Sequence, residues 1–197
     1  MRYTSAIVLV VLGYTWLIAP VTPRSTSGVP VVLVIGIAVW RAFKSGEWGW
    51  RSDAFLPALA WAAAVSASGA IVAYAAGRAL GTWHQRHDPW ITFAALIPWA
   101  LGQQFTLQTV LLREAQQTFS RSSGVVVAAL LFGALHLPNP FLAPVTTVAA
   151  VVWCWIYDRH PNVVPLALSH ALLTLAILYA FDDAITGRLR VGAAYFR

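Results

Sequence analysis

The sequence predicts an all-helical, polytopic membrane bundle of six to eight spans, on three observations. Hydrophobic residues make up 59% of the 197 and charged residues only 10%, where an ordinary soluble domain carries about a quarter charged. Mean hydropathy is +0.68. The apolar residues also fall in runs close to the ~20 residues that cross a bilayer as a helix, the element that satisfies its own backbone hydrogen bonds in hydrocarbon. Seven runs qualify: residues 4–20, 28–43, 54–77, 90–112, 124–137, 141–157 and 163–181. With no repeat, low-complexity tract or soluble segment between them, they predict a single integral membrane domain over residues 1–197.

The first run, MRYTSAIVLVVLGYTWLIAP, has the basic start and apolar middle of a signal peptide. No small-x-small cleavage site follows, PVTPRSTSG reads as a turn, and an anchor helix is expected. The second run ends among Trp40, Trp48 and Trp50 with Arg41, Lys44 and Arg51, the mixture of an interfacial belt. The third adds only hydrophobicity. The fifth is short and stops at His136 before the breaker LPNP, which suits a tilted span or one ending inside the membrane. In the sixth, Cys154 sits between two tryptophans and reads as a small packing residue; a lone cysteine excludes an internal disulfide.

Thirteen basic residues against seven acidic raise the question of nucleic acid, but they are scattered through loops without a basic stripe, and no nucleic-acid partner is expected. Membrane lipid is the expected partner of this charge, through anionic headgroups. Counted on alternate loops, with Arg24 and Arg86 included, the arginines and lysine split almost evenly, so the positive-inside bias does not set a topology.

The stretch QTVLLREAQQ, residues 108–117, sits at the end of the fourth run. A polar or charged side chain inside a span costs a few kcal/mol, about 2.5–3.5 for arginine on insertion scales, and usually faces the interior of the bundle. On an α-helical projection Thr106, Thr109 and Arg113 fall within roughly 60°, Gln103 lies to one side, and Gln104 and Gln108 form a second strip. Interhelical hydrogen bonding with Arg113 snorkelling to the interface would explain this helix taken alone. Two histidines add to it. FGALH places Phe132 and His136 one turn apart, and SHALLT does the same for His170 and Thr174. Polar groups at helical spacing on three separate spans point to one shared cavity.

These stretches resemble the three motifs of the CPBP intramembrane proteases, the group that contains the CAAX prenyl proteases, bacteriocin-processing and immunity proteins, and relatives paired with bacterial sorting signals. The motifs Glu-Glu-x-x-x-Arg, Phe-x-x-x-His and His-x-x-x-Asn/Asp are matched in order by QTVLLR (108–113), FGALH (132–136) and HALLT (170–174). The resemblance runs over about residues 100–181, within a protease-like core of about 90–181. It implies a CPBP-like helical fold in a membrane, expected to be the bacterial inner (plasma) membrane, and peptide hydrolysis on a protein or peptide substrate with a transmembrane or C-terminal segment. The departures are Gln108 and Thr109 in place of two glutamates, Thr174 in place of asparagine, and Glu114 where glycine commonly follows the arginine. Arg113, Phe132, His136 and His170 match.

Carried over, the resemblance makes His136 a residue that polarises water, His170 an oxyanion donor and Arg113 the group that orients the acidic motif, with Gln108, Thr109 and Thr174 at the remaining catalytic positions. Gln108 breaks that scheme, because a carboxamide positions water but takes up no proton. Two readings follow: an endopeptidase working by another route, its activity reduced or lost, or a noncatalytic pseudoprotease binding peptides or transmembrane helices in immunity, assembly or regulation. Of the seven carboxylates all but Glu114 fall in expected loops or the tail. Glu114 is expected to pair with Arg113 or to lie solvated at a helix end. For a divalent metal such as zinc, His136 and His170 supply two nitrogens where a catalytic site normally has three protein ligands; His160, His84 and His87 are expected in loops. Cys154 would be a nucleophile only with His136 or His170 in reach.

Overall fold

The computed structural model describes residues 1–23, 26, 28–85 and 88–197; Arg24, Arg86 and His87 lie outside the described residues. All seven apolar runs are helical. Helix α1 (Arg2–Leu12) widens into a π turn at Gly13–Ile18, and α2 (Gly28–Ser45) and α3 (Phe55–Leu80) follow. Helix α4 (Pro89–Thr106) passes into a second π turn at Leu107–Leu112 and then α5 (Arg113–Thr118). The chain continues through α6 (Arg121–Ala134), α7 (Leu142–Arg159), α8 (Val163–Ala180) and the short α9 (Asp183–Thr186). Among the described residues the only extended pairing is an isolated antiparallel bridge between Trp50 and Asn162. Three helical stretches, Gly28–Ser45, Ser52–Leu80 and Val163–Ala180, are long and apolar enough to cross a membrane, and Arg2–Ile18 and Arg121–Ala134 are shorter apolar helices. The expected class, a helical membrane protein, is the class observed.

The fourth run departs from expectation. It is α-helical only to Thr106, and the next six residues, all buried, form the π turn. The Thr109 hydroxyl donates to the Phe105 carbonyl at 2.7 Å, occupying the acceptor that its own backbone N–H would use in an α-helix. The first π turn carries the same device: Thr15, also its third residue, donates to the Val11 carbonyl at 2.8 Å. Thr146 and Thr147 make such bonds within α7, where the helix stays α, so the hydroxyl alone does not widen a helix. The wider turn leaves residues beyond Leu112 displaced by roughly one residue step, ~100°, from the α-helical projection. The strip expected to join Thr106 and Thr109 to Arg113 is therefore broken.

The described chain divides into two compact units. The first comprises Met1–Trp48, Phe105–Trp155 and Leu189–Arg197. Here α1 packs on α2, both touch the second π turn, and α6 packs against that turn and α5. Gly133 of α6 faces α7 so closely that a Cβ would lie 1.8 Å from the Thr147 hydroxyl. Asn139, from the LPNP breaker, is wholly buried. Its Oδ1 accepts from the N–H groups of Phe141 and Leu142, and its Nδ2 donates to the Arg190 carbonyl. The breaker thus ends one helix, starts the next and holds the C-terminal tail.

The second unit comprises Gly49–Gln104 and Ile156–Arg188 and is organised by α3 on α8. The buried residues of α3 are Ala58, Ala62, Ser66, Ala73 and Gly77, all small and mostly four apart, which lets helix backbones approach closely. A Cβ on Gly77 would sit 2.4 Å from the Ala180 carbonyl oxygen. Ser66 donates to Ser169 at 2.9 Å across the same contact. Asn162 caps α8 by accepting from Val164 N–H, and its Nδ2 donates to the Arg51 carbonyl. The start of α8, seven residues before His170, is thereby tied to the turn that precedes α3.

Candidate functional site

The residues singled out from the sequence divide between the units, and each group is described within its own. In the first unit lie Gln108, Thr109, Arg113 and His136. Gln108 and Thr109 sit in the second π turn with no solvent exposure. The Thr109 hydroxyl is committed to the Phe105 carbonyl. Thr109 thus fills its position in the motif without presenting an acid.

Arg113 does not meet its neighbour. Its Nε donates to Glu47 Oε1 at 2.5 Å and its Nη1 to Gln116 Oε1 at 3.0 Å. The other oxygen of Glu47 accepts from Nη1 of Arg41 at 3.2 Å. Arg41, expected among the interfacial belt residues, is 4% exposed. One carboxylate from the turn after α2 therefore lies between two guanidiniums, a charge-assisted arrangement stronger than a neutral hydrogen bond. Reading the sequence missed Glu47 because it stands in a loop 66 positions before Arg113; the nearby Arg41 and Trp48 suggested an interface and gave no sign of a partner for the motif.

Glu114 corrects a second expectation. It is 6% exposed and is neither solvated nor paired with Arg113. Its Oε1 accepts from Tyr3 N–H at 3.1 Å and its Oε2 from Thr4 N–H at 2.7 Å. It thereby satisfies N–H groups in the first turn of α1, which have no intrahelical acceptor. Burial by itself would raise its pKa, but the hydrogen bonds from Thr4 and Tyr3 outweigh burial and hold the carboxyl below its ordinary value. Glu114 is a structural anchor and supplies no base for the motif.

His136 lies in the turn that ends α6, two residues past the last helical one, and is half-buried. Its Nδ1 is 2.7 Å from the Phe132 carbonyl oxygen. A carbonyl only accepts, so Nδ1 carries the proton and Nε2 carries the lone pair. The Phe132 ring stands 4.9 Å from the imidazole, centroid to centroid. The spacing Phe-x-x-x-His thus sets both the tautomer of the histidine, through the phenylalanine's backbone, and its ring contact.

The second unit holds His170 and Thr174. His170 is 8% exposed, and Nε2 of the wholly buried Gln104 lies 3.4 Å from its Nδ1. Ala100, Ala167 and Ala171 form a buried cluster beside this pair, with Phe93, Leu96, Ile97 and Leu101 packed on it. Thr174 is half-buried one turn beyond His170.

Among the described residues no three His, Cys, Asp or Glu side chains gather as metal ligands. The donors present therefore do not fit a catalytic zinc centre with three protein ligands. Cys154 is wholly buried in α7, as its packing role requires, and His84 turns its Nδ1 to the Thr82 carbonyl at 2.9 Å.

Residues 85–176, just under half of the chain, match the family model of type II CAAX prenyl endopeptidase Rce1-like proteins. All three motif stretches lie inside the match, which bears out the resemblance to the CPBP family over that segment. No curated protein and no solved structure matches the chain.

Proposed function

We propose that this is a CPBP-type intramembrane endopeptidase-like protein acting on a membrane-embedded or C-terminal protein segment, with His136 as the proton acceptor in place of the absent glutamates. The observation that carries the reading is the bond from His136 Nδ1 to the Phe132 carbonyl, which leaves Nε2 with the lone pair a general base needs. A water delivers a proton to Nε2 as its oxygen bonds to the carbonyl carbon of the scissile peptide, and the same proton then goes to the leaving amine as the C–N bond breaks. Gln108 can orient the water by hydrogen bonding but takes no part in the proton's path. An imidazole working without a carboxylate partner is a modest catalyst, because nothing stabilises its protonated form during the reaction. Slow turnover is expected. The bacteriocin-processing and sorting-signal members of the resembling family support a bacterial inner membrane as its location.

The test is cleavage of tail peptides, prenylated and unprenylated, by the purified protein in lipid nanodiscs. A product that disappears in His136→Ala supports the hydrolase. The burial of Gln108 and the committed hydroxyl of Thr109 favour a second reading, a pseudoprotease that binds such segments without cutting them. That reading prevails if the native chain cuts nothing while the pair Gln108→Glu with Thr109→Glu does.

A further inference from the structure

We infer that the apolar groove between α1 and α2 is a binding site for one acyl chain of an anionic phospholipid, whose headgroup lies at the end of the groove where the first π turn meets the C-terminal tail. The groove is formed wholly within the first unit and by residues outside 85–176, so none of the three motif stretches lines it. Leu9, Gly13, Tyr14 and Ile18 line it from the α1 side, and Val29 and Leu33 from α2. Gly13, Tyr14 and Ile18 belong to the π turn, a departure from α geometry that is frequent at functional sites. Gly13 leaves the space open, since a Cβ there would meet nothing from the rest of the fold within 4 Å. The volume, about 200 Å³, is below the ~300–1,000 Å³ of cavities that take compact ligands and suits a length of single chain.

A groove on a lipid-facing surface is not by that fact a site. Lipid tails are as apolar as leucine, so no hydrophobic gain separates a retained chain from bulk lipid; packing in a shaped recess and recognition of the headgroup do. Both are built here. Leu9, Ile18, Val29 and Leu33 are exposed, and α2 is long and apolar enough to cross a membrane. The one polar side chain in the lining is Tyr14, whose hydroxyl is 3.2 Å from that of Thr26, itself 3.1 Å from the hydroxyl of Thr22. The tail segment Gly192–Phe196 packs on the π turn, with the rings of Phe196 and Trp16 6.4 Å apart. Beyond it the exposed Arg197 donates from Nη2 to the Pro20 carbonyl at 2.9 Å. Residues 1–46 and 189–197 contain no aspartate or glutamate, and Arg197 makes no ion pair with an acidic side chain among the described residues. An apolar recess leading to hydroxyls and then to a guanidinium repeats the order of tail, ester and phosphate in a phospholipid. The guanidinium fork matches phosphate oxygens, and the absence of acids favours a headgroup of net negative charge.

The experiment is native mass spectrometry of the full-length protein released from nanodiscs of equal parts phosphatidylglycerol and phosphatidylcholine with the same acyl chains. The wild type is expected to keep one phosphatidylglycerol under activation that strips the remaining lipid. Gly13→Leu, which fills the open space, is expected to lose it. If that variant does not insert, Leu33→Trp narrows the groove from α2 and is expected to give the same loss. Arg197→Gln should lower the preference for phosphatidylglycerol about fivefold, the effect of one basic residue at an anionic membrane surface. Retention that survives both groove variants overturns the proposal, as does equal retention of the two lipids by the wild type. So does a second copy of the chain in place of the lipid, or displacement of the phospholipid by a farnesylated peptide at equal concentration. None of these readings depends on peptide cleavage, so the hydrolase can fail without touching the groove.

Discussion

Two glutamates that no motif predicted carry much of the first unit's electrostatics, and each can be tested by itself. Glu47 lies between Arg41 and Arg113. Its replacement by glutamine leaves the nearly buried Arg41 without its counter-charge, a loss of a charged hydrogen bond worth about 2 kcal/mol of stability. Detergent-solubilised Glu47→Gln is expected to melt several degrees below the wild type, and an unchanged melting curve would show the carboxylate to be dispensable. Glu114 gives a pH signature. Its carboxyl is held below the ordinary value of 4.5, so its contribution to stability is complete above that value and is lost as pH falls through the lower folded-state pKa. Protection of residues 2–12 against hydrogen exchange is expected to fall on acidification in the wild type. In Glu114→Gln it should be low already at neutral pH and nearly flat; parallel curves would remove Glu114 as the anchor. Neither role was legible beforehand, because the partners are 66 and about 110 positions away and a backbone N–H carries no label in a sequence.

At the scale of helices, the pattern located the elements and missed their departures from α geometry. The runs expected at 28–43, 54–77, 141–157 and 163–181 became α2, α3, α7 and α8 with ends shifted by three residues or fewer, because composition and length alone specify a helix in lipid. The π turn at Leu107–Leu112 was invisible. A projection at 100° per residue assumes an unbroken α-helix, and the Thr109 hydroxyl that accompanies the break looks in sequence like any polar residue. The small-residue stripe of α3 could have been found: Ala58, Ala62 and Ser66, then Ala73 and Gly77, recur at four-residue spacing, a signal hidden when every residue is counted simply as apolar. It makes a sharp prediction. Gly77→Ala puts a methyl 2.4 Å from the Ala180 carbonyl, and the strain is expected to cost about 1–3 kcal/mol. Ala60→Gly, at an exposed position of the same helix, should cost less than about 1 kcal/mol. Equal melting temperatures for the two variants would mean that α3 and α8 do not meet so closely.

For the whole chain, hydropathy identified a helical membrane protein, and four unchanged motif residues pointed to the segment that matches an Rce1-like family model. Sequence spacing could not tell which nitrogen of His136 holds its proton, nor what answers the charge of Arg113, since both depend on neighbours supplied by folding. The second of these bears on how the motif could be repaired. A guanidinium beside a catalytic acid serves as that acid's counter-ion, yet here the post is already taken by the turn after α2. Putting glutamate back at 108 would add a second anion competing for one cation, so a restored acid would work best in a chain whose residue 47 had been neutralised at the same time.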